Sequence, residues 1–180
     1  MQDEKEFVIA LLDPKTQNEA FRKLLQQYQK PLYNHIRVIV LNHDDADDVL
    51  QNTFIKVYSN LKTFKGECKL FSWMYRIATN ESITFLQQRA KKQGITNEEV
   101  KEKALNKLES DVYFDGDEIQ LKLQKAIASL PEKQQLVFKM KYFEELKYEE
   151  MSEILGTSVG ALKASYHIAV KKVEEFLQKN

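Results

Sequence analysis

The chain has 180 residues, 27 of them basic and 27 acidic. With no net charge there is no global pull toward nucleic acid or an anionic surface, and any such binding rests on local patches. An apolar fraction of 43%, aromatics at 11% and only five glycines exclude a disordered or fibrous chain. The single cysteine, Cys68, excludes an internal disulfide and fits a reducing compartment. No apolar run approaches ~18 residues, so no membrane insertion is expected. The acidic start lacks a signal-peptide pattern, and the cytoplasm is the expected location.

Taken in chain order, helical periodicity dominates. Phe7, Val8, Ile9, Leu11 and Leu12 predict a short first helix that Pro14 ends. Thr16-x-x-Glu19 reads as a capping box for the second. Its stripe of Ala20, Phe21, Leu24, Leu25 and Tyr28 continues through Leu32, Ile36, Ile39 and Val40, with a kink or break expected at Pro31. Asp44, Asp45, Asp47 and Asp48 open a third helix, where negative charge complements the positive helix end. Val49, Leu50, Thr53, Phe54, Val57 and Tyr58 make its buried face. A further helix is predicted from about Leu70 to Arg89.

Residues 91–118 are rich in acids and poor in large apolar side chains before Val112-Tyr-Phe114, which reads as a linker, partly helical or mobile. A charged helix on the first domain is the other reading of this stretch. Periodicity resumes with Ile119, Leu121, Leu123, Ile127 and Leu130, and Pro131 starts a new helix. The expected fold is all-α: two small helical domains, 1–90 and 119–180, joined by a flexible linker over 91–118.

The C-terminal part carries a helix-turn-helix signature. Lys147 to Leu155 predicts a short helix, Gly156 a left-handed C-cap, and Thr157 or Ser158 the cap of a long helix from Val159 to about Gln178. Leu162, Tyr166, Ala169, Val173 and Leu177 form its inward stripe. Lys163, Ser165, His167 and Lys171 lie outward on its first turns, where a helix set in a major groove meets base edges. Lys163 suits a guanine, His167 a base edge or phosphate, and Lys171 with Lys172 the phosphate backbone. A plain helical hairpin with solvated lysines is the blander reading.

The stretch Phe71-Ser-Trp-Met-Tyr-Arg-Ile-Ala-Thr-Asn80 sets aromatics, an arginine and an amide on one helical segment, after a loop bearing Lys62, Lys65 and Lys69 around Gly66. That mixture suits a surface that holds a nucleic-acid backbone and stacks or clasps a base. Trp73, Arg76 and Asn80 share a face through spacings of three and four. Two of them have a plainer role open: Trp73 as core, Arg76 as an internal salt-bridge partner.

Asp45-Ala-Asp-Asp-Val-Leu-Gln-Asn-Thr-Phe-Ile-Lys-Val-Tyr58, then Phe64-Lys-Gly66 and Trp73-x-x-Arg-Ile-Ala-x-Asn80, closely resembles region 2 of extracytoplasmic-function sigma factors, the small sigma-70-type subunits of bacterial RNA polymerase. Leu130-Pro-x-Lys-Gln-Gln through Leu177 resembles their region 4. The resemblance implies that Asp48, Gln51 and Phe54 dock on the beta-prime subunit of core polymerase. It implies that the loop from Thr63 to Leu70 captures a base of the minus-10 element, with Lys65, Lys69, Trp73, Arg76 and Asn80 as contacts. Ser158, Lys163, Ser165, His167 and Lys171 then fall on the minus-35 reader. Core polymerase, through beta-prime and beta, promoter DNA and an anti-sigma protein are the implied partners, and the free chain is expected to be monomeric. Two departures stand out. Residues 163–172 hold no arginine where many relatives have several, and Thr84 and Phe85 replace a common aspartate.

An enzyme is the first rival. His35, His43 and His167 lie far apart with no ligand-like spacing to Cys68, and there is no phosphate loop, nucleophile elbow or His-Glu-x-x-His. No catalytic residue, metal or cofactor is expected. A free-standing helix-turn-helix regulator is the second rival, and it accounts for the C-terminal signature alone.

Overall fold

The computed structural model describes residues 2–108 and 118–179, and every regular element among them is helical. Nine α-helices follow one another: α1 (Gln2–Leu12), α2 (Gln17–Val40), α3 (His43–Asn60), α4 (Leu70–Gln93), α5 (Asn97–Leu108), α6 (Glu118–Ala128), α7 (Glu132–Tyr142), α8 (Tyr148–Leu155) and α9 (Val159–Lys179), with a 3-10 turn at Leu61–Thr63. Val112, Tyr113 and Phe114 lie outside the described residues.

α2, α3 and α4 pack on one another as the N-terminal module. Leu24, Leu32, Ile36, Val49, Val57, Leu61, Leu70 and Met74 are almost wholly buried between them. Each such side chain contributes about 1.5–3 kcal/mol of apolar burial. α1 lies across this bundle through Leu11, with Phe7 and Val8 half-buried. It also reaches α4: a Glu4 carboxylate oxygen accepts from the Leu70 backbone amide at 2.7 Å. That supplies the cap that Lys69, the N-cap residue, does not make.

Four local expectations are corrected here. α2 runs unbroken through Pro31. Proline removes the bond to the Gln27 carbonyl, but Gln27 and Pro31 both face solvent, so water can take that carbonyl. The buried residues on either side, Leu24, Leu32 and Ile36, favour continuity. Thr16 does not form a capping box. Its hydroxyl donates to the Ala10 carbonyl at 2.8 Å, and Glu19 pairs instead with Lys23. The box appears at Thr96, whose amide donates to Glu99 while its hydroxyl accepts from the Glu99 amide. It starts α5, so the segment read as a linker holds a capped helix, packed on α4 through the buried Val100. Tyr58 is 44% exposed rather than buried, lying edge-on to Phe21 at 5.0 Å.

The junction of α2 and α3 is tight. Leu41 adopts φ 63°, and its amide donates to the Arg37 carbonyl. Asn42 then caps α3 by accepting from the Asp45 amide at 2.9 Å. The left-handed leucine costs roughly 1–2 kcal/mol, offset by burying its side chain.

In the C-terminal module, Ala126, Ile127, Leu130, Phe138, Ala169 and Val173 form one buried cluster linking α6, α7 and α9. The predicted turn is present: Gly156 takes φ 64°, and the Ser158 hydroxyl accepts from the Ala161 amide at 3.3 Å. Leu136, Val137, Met140, Met151, Ile154 and Leu162 point the other way. They join the buried cluster of the N-terminal module, so the two modules share one apolar seam.

Candidate nucleic-acid interface

The loop 64–69 leads into α4 through Gly66, whose φ of 71° suits glycine. Phe64 folds back on Trp73 with ring centroids 5.2 Å apart, and Phe71 lies 4.1 Å from Tyr75. Trp73 is half-buried and so serves packing and surface together. Between this loop and α1 opens a crevice of about 530 Å³ lined by Val8, Ile9, Phe64, Lys65 and Cys68, with Glu4 and Glu67 at its edge. Apolar walls with polar groups at the rim suit a planar base more than a phosphate. Burial pushes the Cys68 thiol above its ordinary value. Arg76 pulls it the other way, and Glu153, Glu67 and Glu4 add to the rise.

Lys65, Lys69, Arg76 and Asn80 are all exposed, and Arg76 and Asn80 share the α4 face that their spacing of four predicts. Two of them are engaged within the chain. Lys69 pairs with Glu150 at 3.2 Å, a bond that raises its pKa and keeps it charged. Arg76 donates through Nε at 3.1 Å, and through its second terminal nitrogen, to the backbone carbonyl of Glu153. The alternative role for Arg76, an internal partner, is therefore realised, with a carbonyl rather than a carboxylate.

On α3, Asp48 and Gln51 are exposed and Phe54 is half-buried. Ile55, 62% exposed, and Tyr58 extend this face and were missed as surface residues. The signal for Ile55 was its place four residues after the polar Gln51, one turn along the same side. In the first turn of the same helix, Asp45 pairs with Arg89. Burial nonetheless raises the Asp45 carboxyl, outweighing the pull of Arg89.

On α9, Lys163, His167 and Lys171 are exposed at steps of four, while Ser165 is half-buried and turns off that line. Lys163 Nζ sits 5.7 Å from the ring centre of Tyr148 on α8, and Lys141 lies on the same ring at 5.1 Å. This cation–π contact steadies Lys163. Tyr148 escaped the sequence reading because only the fold brings α8 beside it. Lys172 bonds Gln134 at 3.2 Å and so braces α9 on α7.

Two family models match this chain. Residues 24–92 match Sigma-70 region 2, and residues 120–173 match Sigma-70, region 4. This order, a helical module bearing the aromatic and basic face followed by a helix-turn-helix, defines a sigma-70-type factor. The RNA polymerase sigma-H factor of Pseudomonas aeruginosa is 29% identical over 167 residues, covering 88% of this chain and 86% of that protein. The ECF RNA polymerase sigma factor SigW of Bacillus subtilis is 29% identical over 162 residues, covering 85% and 86%. The chain belongs to the extracytoplasmic-function subfamily of sigma-70-type RNA polymerase sigma factors. Its fold is that of CnrH, solved in complex with the cytosolic domain of CnrY: TM-score 0.70, 18% identity, 98% of each chain covered. RpoE of Bartonella quintana, solved with the anti-sigma factor NepR, gives a TM-score of 0.65 at 18% identity, covering 88% of this chain and 96% of that one. The region 2 match removes the rival reading of a free-standing regulator, which left the first module without a role.

Proposed function

We propose that this sigma factor divides promoter recognition between its modules. α3 docks on the beta-prime subunit of core polymerase through Asp48, Gln51 and Phe54, with Ile55 adding apolar area. The loop and α4 hold the opened minus-10 strand: Lys65 and Lys69 take phosphates, the crevice beside Phe64 receives an extruded base, and Arg76 with Asn80 clasps what lies beyond it. Extruding a base costs a few kcal/mol of stacking, which pocket contacts must offset. α9 enters the minus-35 major groove, Lys163 and His167 toward bases, Lys171 toward phosphate, Ser158 and Ser165 at the flanks. Each contact is weak alone. Mounted on one polymerase they act at high effective concentration.

The observation that carries this reading is the exposed line Lys163, His167 and Lys171 on a helix-turn-helix, in a chain whose other module presents an aromatic and basic helix face. Catalysis then rests with the polymerase, and the protein works in the cytoplasm. An anti-sigma protein is the expected inhibitor, supported by the solved complex of RpoE, of similar fold, with the anti-sigma factor NepR. Transcription in vitro with purified core polymerase on a fragmented genomic library tests the proposal. Discrete start sites sharing two upstream elements are expected. Failure of the chain to associate with core polymerase refutes it.

A further inference from the structure

α1 lies ahead of the residues that match Sigma-70 region 2, yet it forms one wall of the crevice beside Phe64. The helix is pinned to the bundle at both ends. At its C-terminal end Leu11 is buried, the Thr16 hydroxyl donates to the Ala10 carbonyl, and the Gln17 side-chain amide donates to the Leu11 carbonyl at 3.0 Å. Near its N-terminus the Glu4 carboxylate accepts from the amide of Leu70, the first residue of α4, at 2.7 Å. Two such anchors leave an 11-residue helix little room to slide. Val8 and Ile9 lie between them and share the crevice with the loop 64–69. Ile9 is 65% exposed, apolar surface that the chain itself leaves uncovered.

The polar groups of the crevice also come from both walls. α1 supplies Glu4 and Lys5, and the loop supplies Lys65 and Glu67. The lysines suit the phosphates on either side of an inserted base. The carboxylates need another partner, because phosphate repels them. Glu67 is exposed, whereas Glu4 is half-buried and anchored. A carboxylate has about four lone-pair sites, and the Leu70 amide takes one of them. The rest of its accepting capacity is turned to whatever enters beside it.

A crevice of about 530 Å³ admits a purine or a pyrimidine, so width does not choose among the bases. Hydrogen bonding at the rim must do so. An extruded base is read on its Watson–Crick edge. Cytosine, adenine and guanine carry an amino donor there. Thymine carries none, and its two carbonyl oxygens flank a single N–H. A fixed carboxylate accepts from the first three bases and repels the oxygens of the fourth.

We infer that α1 is part of the base reader, and that Glu4 selects an extruded base bearing an amino group over thymine. Val8 and Ile9 form the apolar wall on which the ring lies, across from Phe64. The inference rests on the minus-10 role proposed above and adds to it a specificity residue from outside the loop and α4.

The test uses holoenzyme, reconstituted from the full chain and core polymerase, and a single strand carrying the minus-10 element that the transcription experiment reveals. Each position is varied through the four bases and an abasic nucleotide, and the affinity is measured. At one position the parent should favour amino-bearing bases over thymine by about tenfold, as a charge-assisted hydrogen bond allows. Glu4→Gln keeps a carbonyl oxygen for the Leu70 amide and presents an amide donor in place of an acceptor. It should cut that preference to about twofold or less, at that position alone, chiefly by improving thymine. Ile9→Ala alters a side chain that is mostly exposed, so the fold is spared. It should weaken all four bases at that position by about threefold and leave the abasic strand unchanged. A response to Ile9→Ala alone overturns Glu4 as the reader and leaves α1 a bare wall. An abasic penalty with a base profile that neither variant alters overturns the inference and leaves base capture to the loop. No abasic penalty at any position overturns the minus-10 role itself, and the inference with it.

Discussion

Replacing Gly156 and Gly160 by alanine, one at a time, should give effects of opposite sign although the two lie only four residues apart. Gly156 ends α8 at φ 64°, with its amide donating to the Ser152 carbonyl at 2.9 Å. A Cβ built there meets no atom within 4 Å, so the cost is purely conformational. Holding an L-residue in the left-handed region costs roughly 1–2 kcal/mol. Gly160 lies in the first turn of α9 at an ordinary helical φ, and a Cβ there also meets nothing within 4 Å. Alanine at 160 should therefore stabilise by about 0.5 kcal/mol, through helix propensity and a less flexible unfolded chain. For a chain of this length the melting temperature should fall by about 3–6 °C in Gly156→Ala and rise by about 1–2 °C in Gly160→Ala. Differential scanning calorimetry reads both, and Gly156→Asn should recover part of the loss, since asparagine tolerates the left-handed region. A loss above about 3 kcal/mol in Gly156→Ala would mean that the turn is packed rather than open. Equal effects at the two sites would refute the conformational argument.

Asn80→Ala should impair promoter melting, read by permanganate footprinting, while binding to core polymerase stays within about twofold; wild-type melting removes the base-clasp role. Lys163→Ala should weaken the response of transcription to minus-35 mutations, and Tyr148→Ala should do the same in smaller measure by releasing Lys163 from its ring contact. Ile55→Ser should weaken core polymerase binding by about fivefold or more if Ile55 is an anchor of the docking face, with the melting temperature unchanged because the side chain is mostly exposed. Arg89→Ala should destabilise by up to about 1 kcal/mol at neutral pH and leave the raised carboxyl of Asp45 without its cation. A carboxyl whose native pKa lies above its unfolded value takes up a proton on folding, so the deficit should shrink as pH falls through that raised value. Asp45→Asn in the same background should abolish the pH dependence, and a deficit that grows on acidification refutes the assignment.

Much of the fold follows from local pattern. The stripe through Leu24, Ile36 and Val40 and the Gly156–Ser158 turn were legible because helix period and capping chemistry act within a few residues. One misreading arose where tertiary contact overrode that code. Pro31 is tolerated because α2 is clamped on both sides of it. At Thr16 the competing contact is itself local, its hydroxyl reaching the Ala10 carbonyl six residues back, while the box at Thr96-x-x-Glu99 is a separate short-range motif.

For the site, sequence by itself determined which residues share a face, since spacings of three and four settle that for any helix: Trp73, Arg76 and Asn80 on α4, and Lys163, His167 and Lys171 on α9. Whether a face is open or covered was decided only by tertiary structure. Glu150 meets Lys69 across 81 residues, and Glu144 meets His35 across 109. No periodicity spans such distances. A charged residue at a helix surface reads identically whether its counter-charge is a phosphate or a glutamate brought by another module, and chain closure between α2, α4 and α8 chooses between them.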